Sequence, residues 1–388
     1  MNKIDKFLLA LAFVFKVVVL TTCWPLSALA DSSLSGRWLD YYAEGDSYRI
    51  DKTAKVITQK PGERAGAYLK TGLWTWDMDN VSVSFRVKVS DWSKTKVATL
   101  IVGNGLKFEN AATFDIKRRF VNPPNDEWIE VNVVPSAWTI DGTVDWKNID
   151  SVLFAIADDG SERITAQIAN IKYRPLAKQT GVVSITVDDG LSDTLVAAEI
   201  MKKYGMVGTA FIDPMYIDEK GYMTSTELLA LAQSGWDVGG HRMGNLTKLD
   251  AQGLSEHVLY VSEYLNRNNF SGANLYALPN GGRSSIVNTT LASRFSYIFN
   301  IDGTNNDPLF TLPQNINRHS IDKHTSLKLA KTWVDAAARG EWVIINFHTF
   351  SDTWEKEEDW SVADVDALLA YIKEQGIEVK PISKVLAK

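Results

Sequence analysis

Residues 181–190 read Gly-Val-Val-Ser-Ile-Thr-Val-Asp-Asp-Gly, and they indicate the fold class of the C-terminal half of the chain. Its mostly apolar part, Val182–Val187, predicts a strand, and a helix is expected over Thr194–Tyr204. Two adjacent carboxylates, Asp188 and Asp189, stand between the two elements. A strand, a polar turn and a helix in this order form the basic unit of a parallel α/β fold.

Strands and helices continue to alternate after this first unit. The expected strands are Gly208–Ile212, Trp236–Gly239, Leu275–Leu278, Trp342–Phe347 and Ile377–Pro381, and the expected helices are Ser225–Gln233, Leu254–Asn266, a short one near Thr289–Ser293, and Val362–Glu374. This order predicts an α/β domain over residues 176–388, with a parallel sheet closed, or nearly closed, into a distorted (β/α) barrel.

Residues 33 to about 175 have the two-residue period of strands instead. In Val81–Val89, valine and phenylalanine alternate with serine, arginine and lysine, which indicates a half-buried strand. Similar runs are Val97–Val102, Trp128–Val134, Val152–Ala157 and Ala166–Tyr173. Many short strands separated by turn residues predict an antiparallel β-sandwich, jelly-roll-like, over residues 31–175. The chain is therefore expected to be multidomain.

The first thirty residues are predicted to be a signal peptide. Lys3 and Lys6 precede the apolar run Phe7–Phe15, and Ala28-Leu29-Ala30 has the small-x-small pattern of a cleavage site. Lys16 leaves the run shorter than the roughly 20 residues of a membrane-spanning helix, so cleavage is favoured over an uncleaved anchor. We expect export to a bacterial periplasm, the cell surface or the medium, without stable membrane insertion.

Cysteine content and charge exclude several kinds of site. Cys23 is the only cysteine and lies within the predicted signal peptide, so the mature chain has no disulfide and no thiolate metal site. Lipidation at Cys23 is disfavoured because Thr22 precedes it, where glycine, alanine or serine is usual. The chain of 388 residues has a net charge of −6, which gives no electrostatic footprint for nucleic acid.

Polar residues follow four of the expected strands. Asp188 and Asp189 end the first, His241 follows Trp236–Gly239, Asn280 follows Leu275–Leu278, and His348 follows Trp342–Phe347. The carboxyl ends of parallel strands meet at one face of a barrel, where active sites lie. Each cluster alone could be a turn or a structural histidine, but four together favour a functional site.

In their order along the chain, these motifs resemble those of the polysaccharide deacetylases of the NodB-homology type, carbohydrate esterase family four, over about residues 181–388. The matching segments are Thr186-Val187-Asp188-Asp189-Gly190, His241-Arg242-Met243-Gly244-Asn245, Tyr276-Ala277-Leu278-Pro279-Asn280-Gly281 and Phe347-His348. The resemblance implies Asp188 as general base and His348 as general acid. It also implies Asp189, His241 and the residue at Asn245 as ligands of a divalent metal.

The sequence departs from the family pattern at two of these positions. Asn245 stands where the family has a second metal-binding histidine, and two residues that usually precede Leu246 are missing. Ala277 stands where the family often has an arginine that positions the catalytic aspartate. Arg318 could supply that charge from a later strand, or could be a surface residue. The remaining histidines match no family position and are interpreted as structural: His257, His319 and His324.

The resemblance implies a hydrolase that removes N-acetyl groups from an envelope or extracellular polysaccharide. The metal is expected to be zinc, with manganese or another divalent ion as the alternative. Pro279, Asn280 and Gly281 would contribute to the substrate and oxyanion site, together with Arg318. Two other functions stay open: an O-acetyl polysaccharide esterase, and a catalytically inactive barrel that binds glycans.

Tryptophan is frequent in the N-terminal half: Trp38, Trp74, Trp76, Trp92, Trp128, Trp138 and Trp146. Indole rings stack well on sugar rings, so this half could bind carbohydrate, but buried tryptophan is equally ordinary in a sandwich core. Trp128 begins an expected strand and is therefore assigned to the core.

Overall fold

The computed structural model describes residues 32–33, 37–41, 48–50, 55–58, 61–70, 75–105, 108–120, 123–309, 312–352 and 356–387. The predicted signal peptide with Cys23 lies outside the described residues, as do Trp74 and the side chain of Trp38. No helix in the described part of the chain is both long and apolar enough to cross a membrane.

Antiparallel strands build the N-terminal half. In chain order they are β1 (Ser32–Ser33), β2 (Arg37–Tyr41), β3 (Tyr48–Ile50), β4 (Lys55–Thr58), β5 (Arg64–Lys70), β6 (Val81–Val89), β7 (Thr95–Asn104), β8 (Asn110–Asp115), β9 (Ile129–Val133), β10 (Thr139–Asp141), β11 (Ser151–Asp158) and β12 (Thr165–Pro175), with a short helix α1 (Ile116–Arg119) after β8. One sheet has the order β3-β4-β12-β6-β9, with β1 beside β12. The other has the order β10-β8-β7-β11-β5-β2.

Apolar side chains from both sheets form a single core in this half, with Phe85 of β6 and Phe154 of β11 among its members. The alternation expected in β6 is present, because Val83 and Val87 are fully buried while Arg86 and Lys88 are partly exposed. The predicted antiparallel architecture is therefore confirmed.

The tryptophans of this half divide between core and surface. Trp76, Trp92 and Trp138 are buried in the core. Trp128, which was assigned to the core, is partly exposed beneath the guanidinium of Arg86, 5.2 Å from its ring centre. The reason is its register: the odd-numbered residues of β9 face inward, so an even-numbered residue before β9 faces outward.

Parallel strands and covering helices build the C-terminal half. The strands are β13 (Val182–Val187), β14 (Thr209–Ile212), β15 (Asp237–Gly240), β16 (Leu275–Ala277), β17 (Tyr297–Asn300), β18 (Ile316–Asn317), β19 (His319–Ser320), β20 (Trp342–Phe347), β21 (Thr349–Phe350), β22 (Asp359–Trp360) and β23 (Glu378–Val379). The helices are α2 (Asp193–Lys203), α3 (Ser225–Gln233), α4 (Ala251–Arg267), α5 (Ser285–Ala292), α6 (Leu327–Ala337), α7 (Val362–Glu374) and α8 (Ile382–Leu386).

The main sheet has the order β18-β17-β16-β15-β14-β13-β20-β19, with β23 beside β13. Only Arg318 separates β18 from β19, so this one segment pairs with β17 before Arg318 and with β20 after it. The segment joins the two ends of the sheet, and the predicted barrel is confirmed. The carboxyl ends of its strands meet at one face, where the four polar clusters were expected.

Local capping explains where the predicted helices agree with the structure and where they do not. The bounds of α3 are those predicted, because Thr224 and Glu227 form a reciprocal capping box at its start. Helix α4 begins three residues earlier than predicted, since the Asp250 carboxylate caps the N–H of Gly253. The strand β17 was not predicted, because a four-residue strand carries too little periodicity. The helix α6 was not predicted either.

Buried polar groups connect the two halves. The carboxylate of Glu341, just before β20, accepts hydrogen bonds from Ser136 in the N-terminal half and from Nδ2 of Asn305 at 2.9 Å. Arg174 at the end of β12 forms an ion pair with Asp307. These contacts lie at the start of β20, away from the strand ends that carry the polar clusters.

Candidate active site

Asp188 lies directly after β13 and is buried against Arg318. The Nη1 and Nη2 atoms of Arg318 donate to the two carboxylate oxygens of Asp188 at 2.8 and 3.0 Å. Arg318 itself is 0% exposed, so its interpretation as a surface residue does not apply. The backbone places it there because position 318 is where the strand changes partner and its side chain enters the barrel.

The charge of Asp188 follows from these neighbours. Burial alone would raise the pKa of its carboxyl group, but the Arg318 guanidinium, with His241 and His348 nearby, lowers the pKa to about 2. Asp188 is therefore ionised throughout the physiological pH range. Thr186 and Asn346 extend the network, because the Asn346 amide oxygen accepts from Oγ1 of Thr186 at 2.7 Å and from Nη1 of Arg318 at 3.0 Å.

A tight turn brings the second carboxylate to the same cavity. Asp189 has a φ of 74°, and Gly190 has a φ of 76°. A residue other than glycine rarely adopts such a φ, and this strain is typical of functional sites. A side chain at Gly190 would also meet Ile212, whose Cγ2 atom lies 3.1 Å from the place of a Cβ. The turn therefore begins at Asp189 itself, one residue before the glycine.

His241 lies directly after β15 and faces Asp189. Its Nδ1 donates to the carbonyl of Ala277 at 2.8 Å, which leaves Nε2 as the nitrogen with a lone pair. That Nε2 is 3.3 Å from Oδ1 of Asp189. Burial lowers the pKa of His241, but the carboxylates of Asp188 and Asp189 outweigh burial, and its pKa lies above the ordinary value.

Asn245 is the N-cap of a short 3₁₀ turn, Leu246–Lys248. Its side-chain oxygen accepts hydrogen bonds from the backbone N–H and the hydroxyl of Thr247, both at 2.8 Å. Metal ligation by this oxygen would compete with the two bonds. The role of Asn245 as a ligand therefore stays a prediction.

The segment Pro279–Gly281 forms a turn after β16. Asn280 has a φ of 52°, and its side chain is exposed at the carboxyl end of the barrel, whereas Pro279 is buried. Gly281 also has a positive φ, and a Cβ there would lie 3.2 Å from a side-chain carbon of Ile301. The Asn280 backbone therefore lies between the buried Pro279 and Gly281, which packs closely against Ile301.

His348 follows β20, the strand paired with β13, and so it stands beside Asp188. Its Nε2 is 3.4 Å from Nδ2 of Asn346, the residue that also binds Arg318. Its Nδ1 is buried and contacts no hydrogen-bond partner among the described residues. Asn346 thus connects the two groups expected to act as base and acid, a position that the sequence analysis missed because the residue lies within an apolar strand.

Asp213 is a second residue missed from the sequence. It is buried directly after β14, and its two carboxylate oxygens accept from the backbone N–H groups of Met215 at 3.2 Å and Met243 at 2.9 Å. Asp213 therefore holds the loop that carries His241. A carboxylate immediately after a predicted strand is the signal that identified Asp188, and it could have identified Asp213.

The other histidines lie away from this cavity or behind it. His257 pairs through Nε2 with the hydroxyl of Tyr276 at 2.9 Å. His319 donates from Nε2 to Asn305 at 2.7 Å, and its ring stacks on Trp333. His324 is a surface residue paired with Glu357.

The donors at the cavity fit a divalent metal ion. An imidazole whose Nδ1 is fixed by a backbone carbonyl, with its Nε2 directed at a carboxylate, is the usual arrangement of a metal-binding histidine. Asp189 and His241 are the two residues so placed. Within the described ranges, no third His, Cys, Asp or Glu side chain completes a cluster with them. A bound ion would therefore depend on water, or on Asn245, for its other ligands.

The sequence of this half matches a known family model. Residues 176–295 match the model described as polysaccharide deacetylase. The matched residues include Asp188, Asp189, His241 and Asn280. The family consists of hydrolases that act on N-acetyl amide bonds, and the C-terminal half is accordingly a hydrolase domain. A search of curated proteins finds no significant match.

Solved structures similar to the deacetylase half include two deacetylases. One is described as T48 deacetylase with substrate, at 17% identity and a TM-score of 0.39, covering 54% of this chain and 92% of that one. The other is peptidoglycan deacetylase PdaC from Bacillus subtilis, at 18% identity and a TM-score of 0.39, covering 55% and 93%.

A third similar structure is the family 11 carbohydrate-binding module from Clostridium thermocellum in complex with a tetrasaccharide. It is 18% identical, with a TM-score of 0.28, and the alignment covers 38% of this chain and 97% of the module.

Proposed function

We propose that this chain is an exported, metal-dependent deacetylase that hydrolyses the N-acetyl groups of an envelope or extracellular polysaccharide. One observation carries the proposal. The ionised Asp188, the donor pair Asp189 and His241, and the imidazole of His348 converge at the carboxyl end of one barrel. Amide hydrolysis needs a base, an electrophilic centre and an acid, and these side chains are of the types that supply them.

Asp189 and His241 would hold the metal, zinc or alternatively manganese, with Asn245 as the further donor that the sequence offers. When bound, such an ion polarises the acetamide carbonyl and acidifies water. Asp188 is the proposed general base. Its low pKa keeps it ionised, and the two hydrogen bonds from Arg318 hold its carboxylate in one orientation, so that it can accept the proton of the attacking water.

The leaving amine needs a proton before the C–N bond can break, and His348 is the proposed donor. Asn346 positions this imidazole relative to the Arg318–Asp188 pair. The backbone N–H of Asn280, held by the turn Pro279–Gly281, is the proposed hydrogen-bond donor to the tetrahedral oxyanion. The products would be acetate and a free amino sugar. Acetyl esters of the polysaccharide could be hydrolysed by the same groups.

A second candidate function is a barrel that binds glycans without hydrolysing them. The observation in its favour is the engaged oxygen of Asn245, which leaves two protein donors for a metal. The buried Asp188–Arg318 pair argues against it, because glycan binding alone does not require an ionised carboxylate at this position.

For the chain as a whole, we propose three parts: a signal peptide over residues 1–30, a carbohydrate-binding β-sandwich over 31–175, and the catalytic domain over 176–388. Deletion of residues 31–175 would leave Glu341 without its Ser136 partner. Sugar binding by this half is therefore better tested by substituting the partly exposed Trp128 in the full chain.

The experiment is acetate release from a panel of acetylated glycans by metal-free protein supplemented with zinc or manganese. The panel contains chitin oligomers, peptidoglycan and acetylated exopolysaccharide, and Asp188→Asn is the control. The proposal is supported if the wild type releases acetate in a metal-dependent way and the Asp188→Asn variant does not. Glycan binding without acetate release by any metal-loaded form would replace the proposal with the second candidate.

The same assay tests Asn245 through Asn245→His and Asn245→Ala. If Asn245 binds the metal, zinc affinity rises in the His variant, because imidazole is the stronger ligand, and falls in the Ala variant. Equal affinities in all three proteins would show that Asn245 only caps its turn.

A further inference from the structure

An aromatic pair lies beside the catalytic cavity and takes no part in the chemistry above. The rings of Tyr216 and Tyr222 stack with centres 5.1 Å apart and planes inclined by 26°. We call this pair the tyrosine platform. It belongs to the loop that connects β14 to α3, the loop whose first residue is Asp213.

The platform is adjacent to Asp189. Tyr222 forms an isolated β-bridge with Leu191, two residues after Asp189, and the N–H of Met223 donates to the carbonyl of Gly190 at 3.0 Å. Burial raises the pKa of the Tyr222 hydroxyl, and the negative charge of Asp189 raises it further, which agrees with this proximity.

The outer side of the platform is open to solvent. Tyr216 is 37% exposed and the neighbouring Met215 is 65% exposed, while Tyr222 is partly buried and stacks on Tyr216. Exposed apolar side chains grouped at the edge of a catalytic cavity mark a ligand-binding surface more often than isolated ones do. A tyrosine ring backed by a second ring presents a flat apolar face of fixed orientation.

Hydrogen bonds also fix the conformation of the loop. The carboxylate of Asp213 accepts from the N–H of Met215, and the carbonyl of Asp213 accepts from the N–H of Tyr216 at 3.1 Å. Further along, the Asp218 carboxylate accepts from the N–H and the hydroxyl of Ser225 at 2.7 and 2.6 Å. A surface held in this way loses little conformational entropy on binding.

We propose that the exposed face of the tyrosine platform binds a pyranose ring of the polysaccharide, next to the acetylated residue in the catalytic cavity. The inference rests on the proposed deacetylase function and adds a subsite to it. Pyranose rings present C–H groups on one face, and such faces pack on aromatic rings. The platform would select a chain of several sugars over a single sugar, since it lies beside the reacting group and not at it.

The test compares Tyr216→Ala with Tyr216→Phe, which keeps the ring and removes only the hydroxyl. Tyr260→Ala is the matched control, because Tyr260 is 44% exposed on α4 and outside the platform. Each protein is assayed with the dimer and the pentamer of N-acetylglucosamine and with 4-nitrophenyl acetate, which carries no sugar. Pentamer binding is also measured by calorimetry.

We expect Tyr216→Ala to raise KM for the pentamer by about ten-fold and to leave kcat and aryl ester hydrolysis unchanged. Tyr216→Phe and Tyr260→Ala should stay within about two-fold of the wild type. Parallel loss of pentamer and aryl ester activity would overturn the proposal, and so would an unchanged KM in the alanine variant. A loss in Tyr216→Phe equal to that in Tyr216→Ala would do the same, since the hydroxyl would then be the contact.

The calorimetry separates this inference from the proposed function. If the wild type binds the pentamer without releasing acetate and Tyr216→Ala weakens binding, the sugar-binding role of the tyrosine platform is supported and the deacetylase function is contradicted. If the wild type releases acetate and Tyr216→Ala matches it in both acetate release and pentamer binding, the sugar-binding role of the platform is contradicted and the deacetylase function is supported.

Discussion

Asp188 and Glu341 are both carboxylates of the barrel half, and both are almost completely buried, at 2% and 0% exposure. Their partners differ. Asp188 is bound by both Nη atoms of Arg318, which is a cation. Glu341 is hydrogen-bonded by Ser136 and Asn305, which are neutral. Asp188 lies at the carboxyl end of β13, whereas Glu341 precedes β20 at the opposite end of the barrel.

The two environments shift the carboxyl pKa in opposite directions. Burial raises the pKa of both groups, since it disfavours the charged form. At Asp188 the charge of Arg318 outweighs burial, and the pKa falls to about 2. At Glu341 the hydrogen bonds from Ser136 and Asn305 do not outweigh burial, and the pKa lies above the ordinary value. The cationic partner of Asp188 therefore accounts for the opposite directions of the two pKa shifts.

The largest expected effect separates the two carboxylates by activity. Asp188→Asn should lower the rate of acetate release by about a thousand-fold, because an amide cannot act as a general base. Glu341→Gln should stay within about two-fold of the wild type, since Glu341 does not line the cavity. Metal content, measured by mass spectrometry, should be nearly intact in both. Similar losses of acetate release in the two variants would show that Asp188 has no larger role in catalysis than Glu341.

Removal of the cation should affect stability. Arg318→Met leaves Asp188 buried without its partner, and we expect a loss of about 3–5 kcal/mol in the free energy of unfolding. The carboxyl pKa should rise, because burial is then opposed by less positive charge. The double variant Arg318→Met/Asp188→Asn should recover part of the loss, as measured by urea denaturation. A single variant as stable as the wild type would mean that Arg318 does not compensate this charge.

The next expected effect is a dependence of stability on pH that arises from His319. This residue binds Asn305, which also binds Glu341. Burial, with the charge of Arg119, lowers the pKa of His319 to about 4, below the value of about 6.5 for an unfolded chain. The folded state therefore binds fewer protons, and stability should fall as the pH drops from about 6.5 to 4, by at most about 3 kcal/mol.

His319→Gln should remove this share of the pH dependence while keeping a donor for Asn305. The measurement is the free energy of unfolding across that pH range. His257, whose pKa is also lowered to about 4 by burial, provides the comparison within the barrel, and His257→Gln should remove a separate share. An unchanged slope in the His319 variant would contradict the prediction.

The smallest expected effect is that of Glu341→Gln on stability. Because the folded pKa of Glu341 is raised, its contribution is full below the unfolded pKa and declines as the pH rises. The glutamine variant should therefore gain about 1 kcal/mol relative to the wild type between acid and neutral pH. Thermal unfolding at both pH values measures this difference. The opposite sign would show that the ionised form of Glu341 is the favoured one.

The features that were predicted correctly from the sequence are those that depend on the local order of residues. The alternation in Val81–Val89 predicted a half-buried antiparallel strand, and the strand–helix order after Val182 predicted the barrel. The positions of Asp188, His241 and His348 after predicted strands indicated one shared cavity. Each of these inferences needs only the spacing of residues close together in the chain, because the periods of strands and helices are local properties.

The partners of those residues could not be predicted from the sequence, because they come from distant parts of the chain. Arg318 is 130 residues from Asp188, and its side chain reaches the carboxylate only because the strand around it changes partner between β17 and β20. Ser136 and Glu341 are 205 residues apart. Contacts between distant segments follow from how the elements close on one another, and no local pattern records that closure.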